Sequence, residues 1–337
     1  MTPTLLPNYL HIAHAQSAAT SVCNVLRFDA QVFSESLIFG LGSGMGFYYF
    51  NSPLDNPSVH ISGRANEFED NFYKLVGTQL EWAGAWDPFW IREELSFGRP
   101  ILAQCDGSKL GAHAAAAKVL TPPQPYLPLY SVVIIGCDID THTLTYVDRA
   151  FAEPQTISFD AFHAASVGEG CPLMRPHSMA VAPYMELSVT EVLLAESIRI
   201  TIEAMLNPPR REIGLPALRN FARELSQMVE RPDLVATMQF AAHCLDSRDC
   251  AADAGRQLYA DFLRESSRWL PELKTIDAES RCRDNGLLWR ELSIACKVVA
   301  GSKAASSLAL VGAAASRVAR AEENLLRDLS DVIRPIL

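Results

Sequence analysis

Residues 39–50 read FGLGSGMGFYYF, with glycine at every second position: Gly40, Gly42, Gly44 and Gly46. A dinucleotide-binding turn requires G-x-G-x-x-G between a strand and a helix. Met45 and Phe47 break both possible registers. A phosphate loop requires Gly-Lys-Ser/Thr, and no lysine is near. What remains is backbone brought close to something bulky, or turned through positive φ, because glycine permits both without a side-chain clash. With Phe39 before it and Phe47–Phe50 after it, the stretch reads as a tight loop packed under aromatic rings.

Around that stretch the chain has two characters. Up to about Pro183 it mixes short apolar runs with glycines, prolines and aromatics. Tyr130–Cys137 (YSVVIIGC) is β-branched and bounded by Pro128 and Asp138, the pattern of a buried strand. Asp138–Thr143 is a polar turn and Leu144–Val147 the return strand. Ile101–Cys105 is another strand, and Trp90–Leu95 a helix stopped at Gly98-Arg99-Pro100. From Glu186 the period becomes helical. Helices are expected over Val189–Met205, Leu215–Val229, Gly255–Leu270, Leu287–Val299 and Ser306–Ile333. The reading is an α+β domain over 1–183 and an all-helical domain over 184–337, with a linker near Met179–Glu186 and no internal repeat.

The chain has 337 residues, 49% of them apolar and 20% charged, with a formal net charge of −10. That balance argues against a broad nucleic-acid or anionic-membrane surface, both of which need clustered Lys and Arg. Met1–Leu10 lacks a basic n-region, and Ala304–Val318 is too short to span a bilayer. The eight cysteines form no C-x-x-C pair, so reduced thiols in a cytoplasmic protein are expected and no metal is implied. Arg210, Arg211, Arg219, Arg223 and Arg231 form a mildly basic stretch. It reads either as a solvated helix face or as a dock for an acidic carrier protein. The acidic stretch Glu322–Asp331 reads as a solvated face.

Arg27–Phe47 (RFDAQVFSESLIFGLGSGMGF) resembles the N-terminal domain of the butirosin biosynthesis protein H family. Ile61–Arg64 (ISGR), Ile91–Pro100 (IREELSFGRP), Tyr130–Asp138 and Tyr146–Asp148 are similar to further segments in the same order. Gly214–Leu225 and Arg256–Leu263 resemble that family's helical C-terminal part. The resemblance implies a papain-like (cysteine-peptidase-like) fold and an acyltransferase that moves an aminoacyl group from a carrier-protein thioester to an amine. It also implies a Cys nucleophile at the start of the first helix, a His base opening the central strand, and an Asp on the return strand. Counted back from Gly40, the Cys position falls on Ser17 and the residue before it on Gln16. The His position falls on Tyr130 and the Asp position on Asp148.

Two of the three expected groups are therefore replaced, and three functions stay open. The first is acyl transfer or cyclisation using Ser17, Tyr130 and Asp148, with a carrier-protein or coenzyme A thioester as donor, a small-molecule acceptor and no cofactor. The second is a non-catalytic member that binds a ligand or partner, and the third a thioesterase- or amidase-type hydrolase. Gln16, Gly42, Gly44, Asp106 and His113 are the expected substrate-lining residues. Cys23 lies six residues beyond Ser17, about 120° round the helix and about 9 Å along it, so it fits the same site poorly. His113, His11 and His14 are candidate replacement bases, each otherwise a surface or supporting residue, and His142 reads as a solvated residue of the hairpin turn. Tyr48, Tyr49 and Trp90 read as core. Oligomeric state is open, a homodimer included.

Overall fold

The structure, a computed structural model, describes residues 4–52, 59–111, 129–168, 174–246, 252–302 and 305–337. In chain order the first elements are β1 (Thr4–Leu5), α1 (Ser17–Phe28), α2 (Glu35–Leu41), β2 (Met45–Asn51), β3 (Val59–Arg64), α3 (Phe68–Leu75) and α4 (Pro88–Ser96). Then come β4 (Ile101–Cys105), β5 (Tyr130–Asp138), β6 (Thr143–Val147), β7 (Gln155–Ser158), α5 (Phe159–Ser166) and β8 (Met179–Val181). The helices that follow are α6 (Glu191–Leu206), α7 (Gly214–Glu224), α8 (Leu234–Asp246) and α9 (Arg256–Ser266). The last are the single turn α10 (Glu272–Thr275), α11 (Ala278–Ser302) and α12 (Ala305–Ile333). The chain is α+β.

It forms two compact units, and neither is continuous in sequence. One holds Met1–Glu35 and Val76–Leu187, the other Ser36–Leu75 and Ser188–Leu337. The single cut expected at 183/184 therefore misses an excursion: Ser36–Leu75, with the glycine stretch, packs with the helical half. The expected linker is also an element, since Met179–Val181 forms β8 and pairs with β4.

The first unit is built on an antiparallel sheet in the order β7-β6-β5-β4-β8, with β1 also on β5. β5 is central because nearly every residue of it is apolar, and Tyr130–Cys137 is buried throughout. A strand buried on both faces carries a continuous apolar run instead of alternating. Its pairings run Cys105↔Tyr130 with β4 and Val133↔Val147 with β6. Helices α1 and α4 both lie against β5. The β5–β6 turn is tied by Asp138, whose Oδ1 accepts from the backbone N–H of Asp140 (2.9 Å) and Thr141 (3.2 Å).

In the second unit the glycine stretch is no loop. Phe39–Leu41 ends α2, Gly42–Gly44 is a turn, and Met45 opens β2, which pairs antiparallel with β3. The glycines are needed for close approach. A Cβ at Gly40 would lie 2.1 Å from the Phe262 ring, at Gly42 2.4 Å from Phe68, and at Gly44 2.4 Å from Phe39. At Gly46 it would lie 2.5 Å from the backbone N of Ala65. Three of the four glycines seat aromatic rings and the fourth admits a neighbouring backbone.

A buried ion pair ties the β2–β3 hairpin to the helices. Arg256 Nε donates to Glu322 Oε1 (2.8 Å), and Nη1 donates to the carbonyls of Gly46 (3.0 Å) and Gly63 (2.8 Å). Trp289 Nε1–H donates to the same Glu322 oxygen (2.8 Å), and the Arg256 guanidinium lies 4.5 Å from the Trp289 ring centroid. Arg256, Trp289 and Glu322 are each wholly buried. Glu322 thus departs from the solvated acidic face expected of Glu322–Asp331. Helix α8 was not anticipated, and α11 begins nine residues before Leu287, where the helix was expected to start.

Candidate functional site

The first turn of α1 is fixed from outside the helix. The Glu35 carboxylate accepts from the backbone N–H of Ala15 (2.9 and 3.1 Å) and of Gln16 (2.6 Å). Gln16 is the N-cap, and its Oε1 accepts from the Ala19 N–H at 2.6 Å. Ser17 is the first helical residue. The first amides of a helix have no intrahelical acceptor. With Ala19 and Thr20 bonded to Gln16, Ser17 and Ala18 carry the remaining first-turn N–H groups, which suit a carbonyl oxygen or an anion.

Tyr130 opens β5 at 2% exposure, and Asp148 immediately follows β6 at 1% exposure. Asp148 Oδ1 accepts from the N–H of Ala150 (2.7 Å) and Phe151 (3.3 Å). Arg149 links these parts: Nη1 donates to the Ala15 carbonyl (3.0 Å), and its guanidinium carbon lies 6.0 Å from the Tyr130 ring centroid. Ser17 is 4% exposed. Ser17, Tyr130 and Asp148 all fall in the first unit, and Arg149 touches both the segment leading into α1 and Tyr130. Glu35 and Arg149 were missed from sequence. Arg149 had one signal, its place directly after Asp148; Glu35 had none.

Asp106 caps its own turn, with Oδ1 accepting from the Ser108 N–H (3.0 Å) and hydroxyl (2.6 Å). Gly42 and Gly44 belong to the second unit, where aromatic rings fill the space beside them. His113 lies outside the described residues.

The histidines near α1 differ. His11 has both ring nitrogens engaged: Nε2–H donates to the Phe151 carbonyl (2.7 Å), and Nδ1 accepts from Asn24 Nδ2 (3.0 Å). That pairing follows from the carbonyl, which can only accept. The His14 Nε2 is buried with no hydrogen-bond partner. Burial holds the His14 imidazole below its ordinary range, with the Glu35 carboxylate opposing, so it is neutral at pH 7. His142 sits exposed in the hairpin turn at positive φ, stacked on Phe159.

No thiolate supplements Ser17 from within α1. Burial, reinforced by Glu35, drives the Cys23 thiol far above its ordinary range. Its Sγ is 4.0 Å from the Ser34 carbonyl. Cys105 is likewise pushed well up, by burial first and then by Asp106 and Asp148. All six described cysteines are buried free thiols. Among the described residues, no cluster of His, Cys, Asp and Glu is placed to hold a metal ion, and no helix is long and apolar enough to cross a membrane.

Of the basic stretch, Arg219 pairs with Glu323 (2.6 Å), Arg231 donates to Asn51 (3.0 Å), Arg223 to Asn220, and Arg210 lies 3.9 Å from Glu67.

These features define a two-unit α+β protein, an antiparallel sheet with a capped helix against its central strand and a helical unit that takes in an early hairpin. Residues 16–120 match the family described as "Butirosin biosynthesis protein H, N-terminal", and residues 161–329 match "Domain of unknown function (DUF4872)". The chain belongs to the butirosin biosynthesis protein H-like family. No curated protein matches it.

Proposed function

We propose that the chain is an acyl-transfer protein of bacterial secondary metabolism that works by orientation, without an acyl-enzyme. The family supplies the biosynthetic context. The first unit is read as papain-like, because α1 lies against β5 with Ser17 at its leading end and Asp148 directly after the neighbouring strand β6. The donor is a carrier-protein or coenzyme A thioester, the acceptor a small amine, and the setting cytoplasmic. The observation that carries the reading is the first turn of α1: Ser17 with two N–H groups that have no intrahelical acceptor, held in place by Glu35 and Gln16.

A thioester carbonyl bound there is polarised by the Ser17 and Ala18 amides as charge develops on its oxygen. The acceptor nitrogen attacks, the C–S bond breaks, and the sulfur leaves as a thiolate, which takes up the proton that the nitrogen loses. The nitrogen gives up one proton, for which neutral His14 is the candidate base. Holding the two reactants together supplies the rate advantage. Ser17 donates a hydrogen bond and is not acylated, because a serine hydroxyl needs a bonded base to act as nucleophile.

The burial of Ser17, Tyr130 and Asp148 favours one second reading, a non-catalytic member that holds a ligand or partner. The test pairs intact-mass analysis of the protein with product analysis, after incubation with acyl thioesters and amines. Amide product without a protein adduct, reduced in Ser17→Ala, supports orientation. An adduct on Ser17 replaces it with covalent catalysis. Neither product nor adduct leaves the binding reading, and release of free acid from the thioester with or without amine supports a hydrolase.

A further inference from the structure

A groove of about 850 Å³ lies in the first unit, away from α1's leading end. Asp29, on its wall, follows the last residue of α1, so it stands about 18 Å along the helix from Ser17 at 1.5 Å per residue. Pro100, also on the wall, precedes β4, whereas Tyr130 pairs with Cys105 at the far end of that strand. Five residues of strand span about 17 Å. Two independent elements place the groove at the opposite end of the unit from the acyl-transfer site proposed above.

Its walls are aromatic and acidic. Trp82, Trp90 and Tyr184 are among its lining residues, and Tyr184 is 70% exposed. This corrects the core role expected of Trp90. The charged residues are Asp29, Glu81, Glu94 and Arg99. Arg99 is committed within the protein: its Nε lies 2.9 Å from Glu94 Oε2, and its guanidinium stacks on Phe97 at 4.9 Å. That leaves the carboxylates of Asp29 and Glu81 to set the sign of the field. The walls are anchored by backbone bonds, Ala83 N–H to the Met179 carbonyl (2.7 Å) and Ala182 N–H to the Pro100 carbonyl (3.1 Å).

We infer that this groove is a second binding site, for an organic cation whose apolar body stacks on Trp82, Trp90 and Tyr184 while its charged nitrogen faces Asp29 and Glu81. Aromatic faces attract cations through the ring quadrupole, most strongly for tryptophan. The volume suits a ligand of drug size. An anionic ligand is opposed by the carboxylates, and a neutral apolar one leaves them desolvated without a partner.

The test follows the indole N–H resonances of the full chain by NMR, with Trp82 and Trp90 assigned from Trp82→Phe and Trp90→Phe among the five tryptophans. The probes are benzyltrimethylammonium and, as neutral ring control, benzyl alcohol. The cation is expected to shift both groove indoles saturably, and benzyl alcohol to need at least tenfold more. Asp29→Asn with Glu81→Gln weakens the cation at least tenfold; Ser17→Ala leaves it unchanged. Glu81 is exposed, so Glu81→Gln alone gives the same direction should the double variant fold poorly. Equal binding of the two probes, no movement of the groove indoles, or carboxylate variants without effect each overturns the assignment. So does a Lys/Arg-rich peptide that moves these indoles when the small cation does not.

Discussion

Gly40→Ala puts a methyl group where the structure has an aromatic ring. The new Cβ would lie 2.1 Å from Phe262 Cδ2 and Cγ, against a comfortable carbon–carbon separation of about 3.5–4.0 Å. Phe262 is fully buried, so the ring has to move by roughly 1.5 Å into neighbours that are themselves packed. Overpacking of this kind costs about 1–3 kcal/mol. Gly40 lies in α2, where alanine gains about 1 kcal/mol in helix propensity, so the net loss is expected at about 0–2 kcal/mol. Gly46→Ala should cost more, because its Cβ meets the Ala65 backbone and no side-chain rotation relieves it. The assay is urea unfolding of the full chain, followed by Trp289 fluorescence with the other indoles changed to Phe. Gly84→Ala is the control, since its Cβ would meet nothing within 4 Å. Phe262→Leu should partly rescue Gly40→Ala, with a coupling of about 1 kcal/mol, and should leave Gly46→Ala unrescued. If Gly40→Ala and Gly46→Ala both unfold with the control, the glycines are not held by packing and the reasoning fails.

Arg256→Met strands the wholly buried Glu322 carboxylate, so a loss of about 3–5 kcal/mol is expected in the same assay; Arg256→Met with Glu322→Met should recover part of it. Glu35→Gln removes a charged acceptor from the Ala15 and Gln16 amides, and about 1.5–3 kcal/mol of stability should go with it. Amide exchange at these two residues should quicken. Buried thiols give a pH dependence of known sign. Folding raises Cys137 from 9.0 to about 11 and Cys296 from 9.0 to about 12, chiefly by burial. Above pH 9 the unfolded chain therefore loses these protons before the folded one does, and stability falls as pH rises. Urea midpoints between pH 8 and 10.5 check this, and Cys296→Ala should flatten the slope.

The elements that periodicity alone could define are those seen in the structure. β4, β5 and β6 stand where short apolar runs bounded by turn residues put them. Helices α4, α6 and α12 begin and end within about two residues of their capping and breaking signals. Others were harder to read. The glycine stretch was expected to be one loop, but it joins the end of a helix to the start of a strand, because its apolar residues are too few in each direction to show either period. Helix α8 (LVATMQFAAHCLD) is apolar almost all round, so no polar face marks its turn.

The sequence by itself determined the α+β class, the order of the main elements and a family resemblance, from which Ser17, Tyr130 and Asp148 were the expected site. These follow from local patterns, which the chain carries wherever it folds. Only the tertiary structure decided that Ser36–Leu75 packs with the helical half, that Glu322 is buried against an arginine 66 residues away, and that Asp29, Trp82, Trp90 and Tyr184 share one groove. Such contacts join residues far apart along the chain. Whether a carboxylate is solvated or paired, or an indole buried or presented, depends on what the fold brings against it, and that has no local signature.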